Sequence, residues 1–391
     1  MKSLLCLAAA AAALVAPAAS AAEVKFRAEE IQQKFGIGYA VTTHDMNGDG
    51  KPDIVAINQA QAVWFENPSW TKHILLDAGS TKKDNVCFAI HDIDGDGKPD
   101  IAIGADWQAT NTNAAGSLQW AGSRDGYKVH PLTEEPTLHR MRWGDVDGDG
   151  RKELVVLPLH GRGNARTDNN DANSWQGAGV RVLVFRPGEN PLEPWKPEVA
   201  DDTLHIAHNL IVTDFDTRNK GDEILTASRE GVHVLRRNAK TGKWSRDKIA
   251  SGSPGEIKLG HADKKTRVIA TVEPWHGNSI VIFREPRNGK GEWTREVADT
   301  TLTGGHAIGW GDFDGDGSDD LVAGWRDKQY GLALYTWDAA GKRWQKHPIE
   351  TGAMAAEDLA VADLNGDGKP DIVAAGRASS NIKIYWNEGK K

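Results

Sequence analysis

The sequence predicts an all-β fold, a single seven-bladed β-propeller of four-stranded blades, on three observations. An acidic nine-residue segment recurs at intervals of 47, 53, 69, 49, 49 and 51 residues. Each unit carries four short strand signals, and a repeat of that size buries its apolar faces only by stacking on its neighbours around a ring. One amphipathic strand, Val24 to Ile31, precedes the first acidic segment instead of following the last. That displaced copy is expected to complete the seventh blade and so close the ring.

The acidic segments come first. Five are intact, with oxygen ligands at places one, three, five and nine: Asp45, Asn47, Asp49, Asp53; Asp92, Asp94, Asp96, Asp100; Asp145, Asp147, Asp149, Glu153; Asp312, Asp314, Asp316, Asp320; and Asp363, Asn365, Asp367, Asp371. Glycines stand at places four and six. A hairpin turn alone accepts Asn-Gly or Ser-Gly, whereas carboxylates at fixed alternate places are what a hard oxygen-seeking cation requires. The segments are therefore expected to hold calcium, about five structural ions in all. Two further copies are worn: Asp214 to Asp222 has Arg218 in place of the central acid, and the unit around Asp263 keeps only that acid and the strand after it.

The other strands follow in order. Apolar–aromatic runs at 63–65, 118–120, 182–185, 232–235, 280–283, 332–335 and 382–386 supply one strand per unit. Amphipathic runs led by an aromatic, at 70–74, 127–130, 195–199, 244–249, 293–297 and 344–349, supply the outer one. These loops resemble the FG-GAP or VCBS-type repeat over nearly the whole of residues 22–391, expected as one domain. The resemblance implies a calcium-binding propeller, and it extends to both binding modules and enzymes.

Composition narrows the class. The chain has 391 residues, 26% of them charged, and a formal net charge of −8. The acids concentrate in the repeats and the basic residues are scattered, which argues against a nucleic-acid surface. Residues 1–21 have the form of a secretory signal peptide: Lys2, an apolar Ala-rich run from Leu4 to Val15, and an A-x-A site at Ala19–Ala21. No other run approaches a membrane span, so a secreted or periplasmic protein is expected. Past that segment Cys87 stands alone, excluding an intrachain disulfide.

The candidate chemistry lies on the axis. Six residues before each acidic segment stand Tyr39, Val86, His139, His208, Ile257, His306 and Glu357, with Asn85, Arg140, Asn209 and Glu256 one step away. Equivalent positions in a propeller form a ring, so His139, His208, His306 and Glu357 are candidate ligands for zinc or another divalent metal. Loops after each second strand should reach the same rim; they carry Trp107, His160, Arg229, Glu273, Trp275, His276, Trp325, Arg326 and Arg377. Aromatic rings beside His and Arg suit a sugar, with Trp107, Trp275 and Trp325 stacking on it and Glu273 and Arg229 as polar contacts. The long loop 158–179, rich in Gly, Asn and Arg, marks the third unit for function.

Segments 208–214, 227–231, 272–277 and 305–312 resemble the propeller domain of the anhydrofructose (aldos-2-ulose) dehydratases. That resemblance implies a metal-assisted carbohydrate lyase that dehydrates a keto-sugar by β-elimination. In it His276 or His160 would take the proton, and Arg140 and Arg326 would hold oxyanions. The alternative is a non-catalytic propeller that binds a glycan or a protein at its rim. No G-x-S-x-G segment is present, which weighs against serine chemistry.

Overall fold

In the computed structural model, which describes residues 24–390 except 170, 172–173, 216–218 and 264, seven four-stranded antiparallel sheets are arranged in a ring. The leader segment 1–21 and Arg218 lie outside the described residues. The first strand of each sheet is innermost: 40–44, 87–91, 138–144, 209–213, 257–261, 305–311 and 356–362. Each of these packs on the next, and the seventh packs on the first, which closes the circle.

Closure is made as the displaced strand requires. Val24–Gln32 pairs antiparallel with Ile382–Lys390 and completes the sheet that Ala356–Ala362 and Asp371–Gly376 begin. The first and last parts of the chain thus share one blade, so the ring cannot open without breaking a strand ladder. Phe26 meets Phe313 edge-on at 5.8 Å, and Trp386 Nε1 donates to Glu29 at 2.8 Å.

Burial explains the strand sequences. Asp53–Ile57, Asp100–Ala105, Glu153–Pro158, Glu223–Ser228, Asp320–Trp325 and Asp371–Gly376 are buried at every residue. Each second strand is sandwiched between neighbouring blades and therefore reads as an unbroken apolar run. The outer strands are largely exposed, as in Trp244–Ala250. The tryptophans that lead several of them, Trp195, Trp293 and Trp344, are buried and join the apolar clusters between blades.

The segment expected as a long loop holds a two-stranded hairpin, Ala165–Arg166 with Trp175–Gln176. It lies between the second and third strands of blade three and turns Trp175 inward, where the ring is buried with Leu159 and Ile206.

The closing strand generates a test. Phe26→Ala removes a partly buried ring from the seam and is expected to lower the unfolding free energy by about 2 kcal/mol in urea titration. An unchanged midpoint and slope would mean that the N-terminal strand does not hold the ring closed.

Candidate functional site

The acidic loops are built alike. In the first, Asp45 Oδ1 accepts from the Gly48 and Asp49 N–H groups at 2.7 and 3.1 Å, and its Oδ2 accepts from Gly50 N–H at 2.8 Å. Asp92, Asp145, Asp312 and Asp363 accept from the backbone of their own loops in the same pattern. The bend needs left-handed backbone at places four and six, and the glycines there have φ between 71° and 94° in all five loops. The ninth acid is buried. Asp53 accepts from Met46 and Asn67 N–H, Asp100 from Ile93 and Ser123, and Asp371 from Leu364 and Asn387. Oxygens of Asp92, Asp94 and Asp96, of Asp145, Asp147 and Glu153, and of Asp312, Asp314 and Asp316 converge within 4.8 Å. Burial first, then the neighbouring carboxylates, pushes Asp320 up to about 8 and Glu153 up to about 7. In the third loop Arg186 pairs with both Asp147 and Glu153.

The worn loops differ in kind. In blade four the buried acid is Glu223, one residue beyond the expected Asp222, and it accepts from Phe215 N–H at 3.0 Å. Asp222 instead reaches across to accept from Asp145 N–H at 2.9 Å. In blade five the strand opens with Arg267, which pairs with Glu285 and lies 4.0 Å over the Phe215 ring. A cation stands where the other blades have an acid.

At the opposite end of the inner strands the axial residues converge. In blades three, six and seven the pairing of the inner strand skips one residue, at His139, His306 and Glu357. Such bulges re-aim a side chain that would otherwise follow the strand's alternation. His208 is the last residue before its strand begins. His276 is carried on the tight segment from Glu273 to Gly277 in left-handed backbone, at φ 56°. A side chain at Gly277 would run into the Glu273 carbonyl, so the turn admits only glycine there.

Ring nitrogens of His208, His276 and His306 lie within 4.8 Å of one another. His276 Nε2 is 2.6 Å from His208 Nε2, and Arg326 donates to His276 Nδ1 at 3.2 Å. His208 Nδ1 faces Glu256 Oε1 at 3.0 Å, and His306 Nδ1 donates to the Glu357 carbonyl at 2.5 Å. His306, with Nδ1 on a carbonyl, and His208, with Nδ1 beside a carboxylate, turn Nε2 inward as metal-ligating imidazoles do. His276 differs: its Nδ1 accepts from Arg326, so in the neutral ring Nε2 carries the proton and donates to His208 Nε2. All three are pushed well below the ordinary histidine pKa, chiefly by burial, and are neutral.

Two expected ligands are otherwise engaged. His139 Nδ1 donates to the His208 carbonyl at 2.9 Å, and its Nε2 faces Arg140 Nη1 at 3.2 Å, so the guanidinium takes its free lone pair. Glu357 carboxylate is held by Arg326 at 2.5 Å and by Arg377 at 2.8 Å. His276, expected as a base, takes the third place in the cluster. Arg140 and Arg326, expected to hold oxyanions, are committed to these imidazoles and to Glu256 and Glu357.

The aromatic residues divide. Trp107 lies 4.9 Å from His139, and Trp275 lies 5.6 Å from His208 and 4.5 Å from His276. Trp325 instead belongs to the core with Leu302, Ile308 and Tyr335, its Nε1 donating to the Gln329 carbonyl at 2.6 Å. Glu273 pairs with Arg295 at 2.7 Å, and Arg229 donates to the Trp175 carbonyl at 2.7 Å, so both serve the walls. His160 is stacked on Trp175 at 3.9 Å, and burial, aided by Arg166, lowers its pKa to about 3. Trp175 and Asn164 were not foreseen. Their buried side-chain polar atoms, like His160 Nδ1 and Trp275 Nε1, lack a hydrogen-bond partner among the described residues. A tryptophan inside a Gly- and Asn-rich insert was the available signal.

Comparison with known proteins agrees with this anatomy. A model of the FG-GAP-like repeat matches residues 45–103 and 312–374, and one of the FG-GAP repeat matches 89–118. The model described as "Aldos-2-ulose dehydratase, beta-propeller domain" matches residues 113–286, which include His139, His160, His208 and His276. Aldos-2-ulose dehydratase of Phanerodontia chrysosporium is 24% identical over 227 residues, 51% of this chain and 24% of that protein. Integrin alpha pat-2 of Caenorhabditis briggsae is 42% identical over 146 residues, 34% of this chain and 10% of that protein. The chain thus spans a quarter or less of these curated relatives. The solved structure of BBS1N in complex with ARL6DN superposes with a TM-score of 0.53 at 13% identity, over 92% of this chain and 96% of that one, a likeness of fold alone. The chain is a seven-bladed β-propeller with FG-GAP repeats, and its middle blades are similar to the propeller domain of aldos-2-ulose dehydratase.

Proposed function

We propose that this protein is an exported, calcium-stabilised propeller whose axial imidazole cluster dehydrates a keto-sugar by β-elimination. One observation carries the reading: the neutral imidazoles of His208, His276 and His306 converge beside the aromatic rings of Trp107, Trp275, Trp175 and His160. The similarity of residues 113–286 to the dehydratase propeller supports it.

His208 and His306 fit a divalent transition metal by donor type and ring orientation, and His276 would join them through Nε2 once its proton moves to Nδ1 and Arg326 turns away. Bound there, the metal would act as a Lewis acid on the substrate carbonyl. The remaining roles fall to the chain's own side chains. Glu256 holds His208 in place, and Arg140 engages His139. The indole faces of Trp107 and Trp275 receive the sugar ring. His160 is the candidate base by its place beside Trp175 and Trp275, with Nδ1 unpartnered among the described residues; burial lowers its pKa to about 3, so bound substrate must raise its basicity for the transfer. It accepts the proton α to the carbonyl, the β carbon–oxygen bond breaks, and the imidazolium returns the proton to the departing hydroxide. One water is lost per sugar.

Calcium in the five loops is part of the same reading, since their carboxylates crowd together without enough positive charge to balance them. Exhaustive chelation with EDTA is expected to lower the melting temperature by about 5 °C or more, because the ions bind only the folded loops. An unmoved melting curve would remove calcium from the account.

Elemental analysis of calcium-saturated protein tests the axial centre. Wild type is expected to carry one equivalent of zinc, manganese, iron or nickel, and the His208→Ala, His306→Ala double variant none. Calcium alone in both proteins would leave the rim-binding alternative standing. Mass spectrometry of keto-sugar reactions should then register loss of one water, with His160→Ala slower by roughly 10²–10⁴-fold. Full turnover in that variant would discard His160 as the base.

A further inference from the structure

The inner strands also enclose a cavity of about 330 Å³, lined by residues of the same strands toward their acidic-loop ends. Its polar lining includes Thr42, His44, Arg142, Lys152, Lys258 and Asp358. A volume of that size suits a small organic molecule and lies at the lower limit of known ligand sites, about 300 Å³.

The charges there do not balance. Asp358 is the acid in this lining, and its two oxygens already accept from the Val41 and Leu359 N–H groups at 3.0 and 2.9 Å. Arg140, deeper in the axis, is matched by Glu256 at 3.7 Å. Arg142 donates to the Met141 carbonyl at 2.7 Å and approaches the Asn209 amide oxygen at 3.5 Å, both uncharged. Lys258 and Lys152 ammonium groups have no hydrogen-bond or ion-pair partner among the described residues. His44 is pushed below its ordinary value, chiefly by burial, and adds no charge at neutral pH. Three cations therefore face one carboxylate, an excess of two positive charges, with Arg142 and Lys258 half-buried and Lys152 exposed.

Such an excess costs stability. Burial disfavours an unpaired ammonium, and Lys258 is accordingly pushed below the usual lysine range, by burial first and then by Arg142. A surface lysine carries no such cost. Lys258 extends from the middle of an inner strand into the axis, and a neutral side chain of the same length would relieve the strain there.

We infer that this cavity is a binding site for a small dianion of the dicarboxylate or phosphate type, held by Arg142, Lys152 and Lys258 and separate from the imidazole cluster. The guanidinium offers a planar pair of donors to one anionic group. The two ammonium groups provide charge from other sides, and Thr42 can hydrogen-bond to an anionic oxygen.

Isothermal titration with malonate and with sulfate tests this. Calcium is kept saturating so that Asp45 and Asp92, at the outer rim, do not set the field. Saturable binding of one probe molecule per chain is expected, weakening as ionic strength rises. Lys258→Met should weaken it by about tenfold or more, corresponding to about 1.4 kcal/mol. The same variant should melt no lower than wild type, since it removes an unpaired cation and keeps the length of the side chain. Lys152→Gln, at an exposed position, should weaken binding severalfold and serves as the deciding variant if Lys258→Met misfolds. Failure of both probes to bind saturably would overturn the inference. So would binding that neither lysine variant weakens.

Discussion

Each acidic loop ends in a carboxylate that has left water, and the architecture hangs on where that group is anchored. Asp53, Asp100, Glu153 and Asp371 are fully buried at the first residue of a second strand. Burying a charged or polar group is costly unless donors meet it, and here backbone N–H groups from the loop and from the third strand's exit do so. The carboxylate thereby ties the inner strand, the second strand and the turn after the third to one point. With that end fixed, the start of every inner strand falls at the same height on the axis. Three blades use that height to place a histidine.

The site itself arises where the repeat is broken. Bulges at His139, His306 and Glu357 release those residues from the ladder, and the left-handed backbone at His276 brings a fourth imidazole in from a loop. Regular strands would have sent these side chains alternately into the core and the channel. Irregularity at a conserved height gives three nitrogens a common focus while the sheets behind them stay rigid. The same displacement leaves His139 and Glu357 to be claimed by arginines.

Charge is segregated along the axis. Acids crowd the loops at one face, imidazoles gather at the other, and between them stand Arg140, Arg142, Lys258, Glu256 and Asp358. A polar wall runs through the middle: Arg142 touches Asn209, the Asn209 amide donates to Glu256, and Glu256 faces His208. Asn209, Glu256 and His208 are buried and Arg142 is half-buried, so their interactions are stronger than they would be in water, and a mismatch is more costly. That makes the cation excess beside Asp358 informative.

The propeller, the number of blades, the closing strand and the acid loops were legible in the sequence, because these depend on local chemistry repeated around the ring. Alternating acids and glycines bend a chain wherever they occur, and an apolar run between two blades needs no partner-specific contact to be read. It also brought forward nearly all the axial residues, since a shared repeat position becomes a shared height in a ring. Which of them act together depends on contacts made across the ring. His276 enters the cluster from a loop, whereas His139 packs beside it with its Nε2 on Arg140, and Glu357 is held by two arginines from two different loops. Trp325 is indistinguishable in sequence from Trp275, yet one is core and the other faces the imidazoles. Trp175 reaches His160 through a hairpin whose sequence lacks strand periodicity. Such outcomes depend on distances between residues far apart in the chain, and no local pattern encodes them.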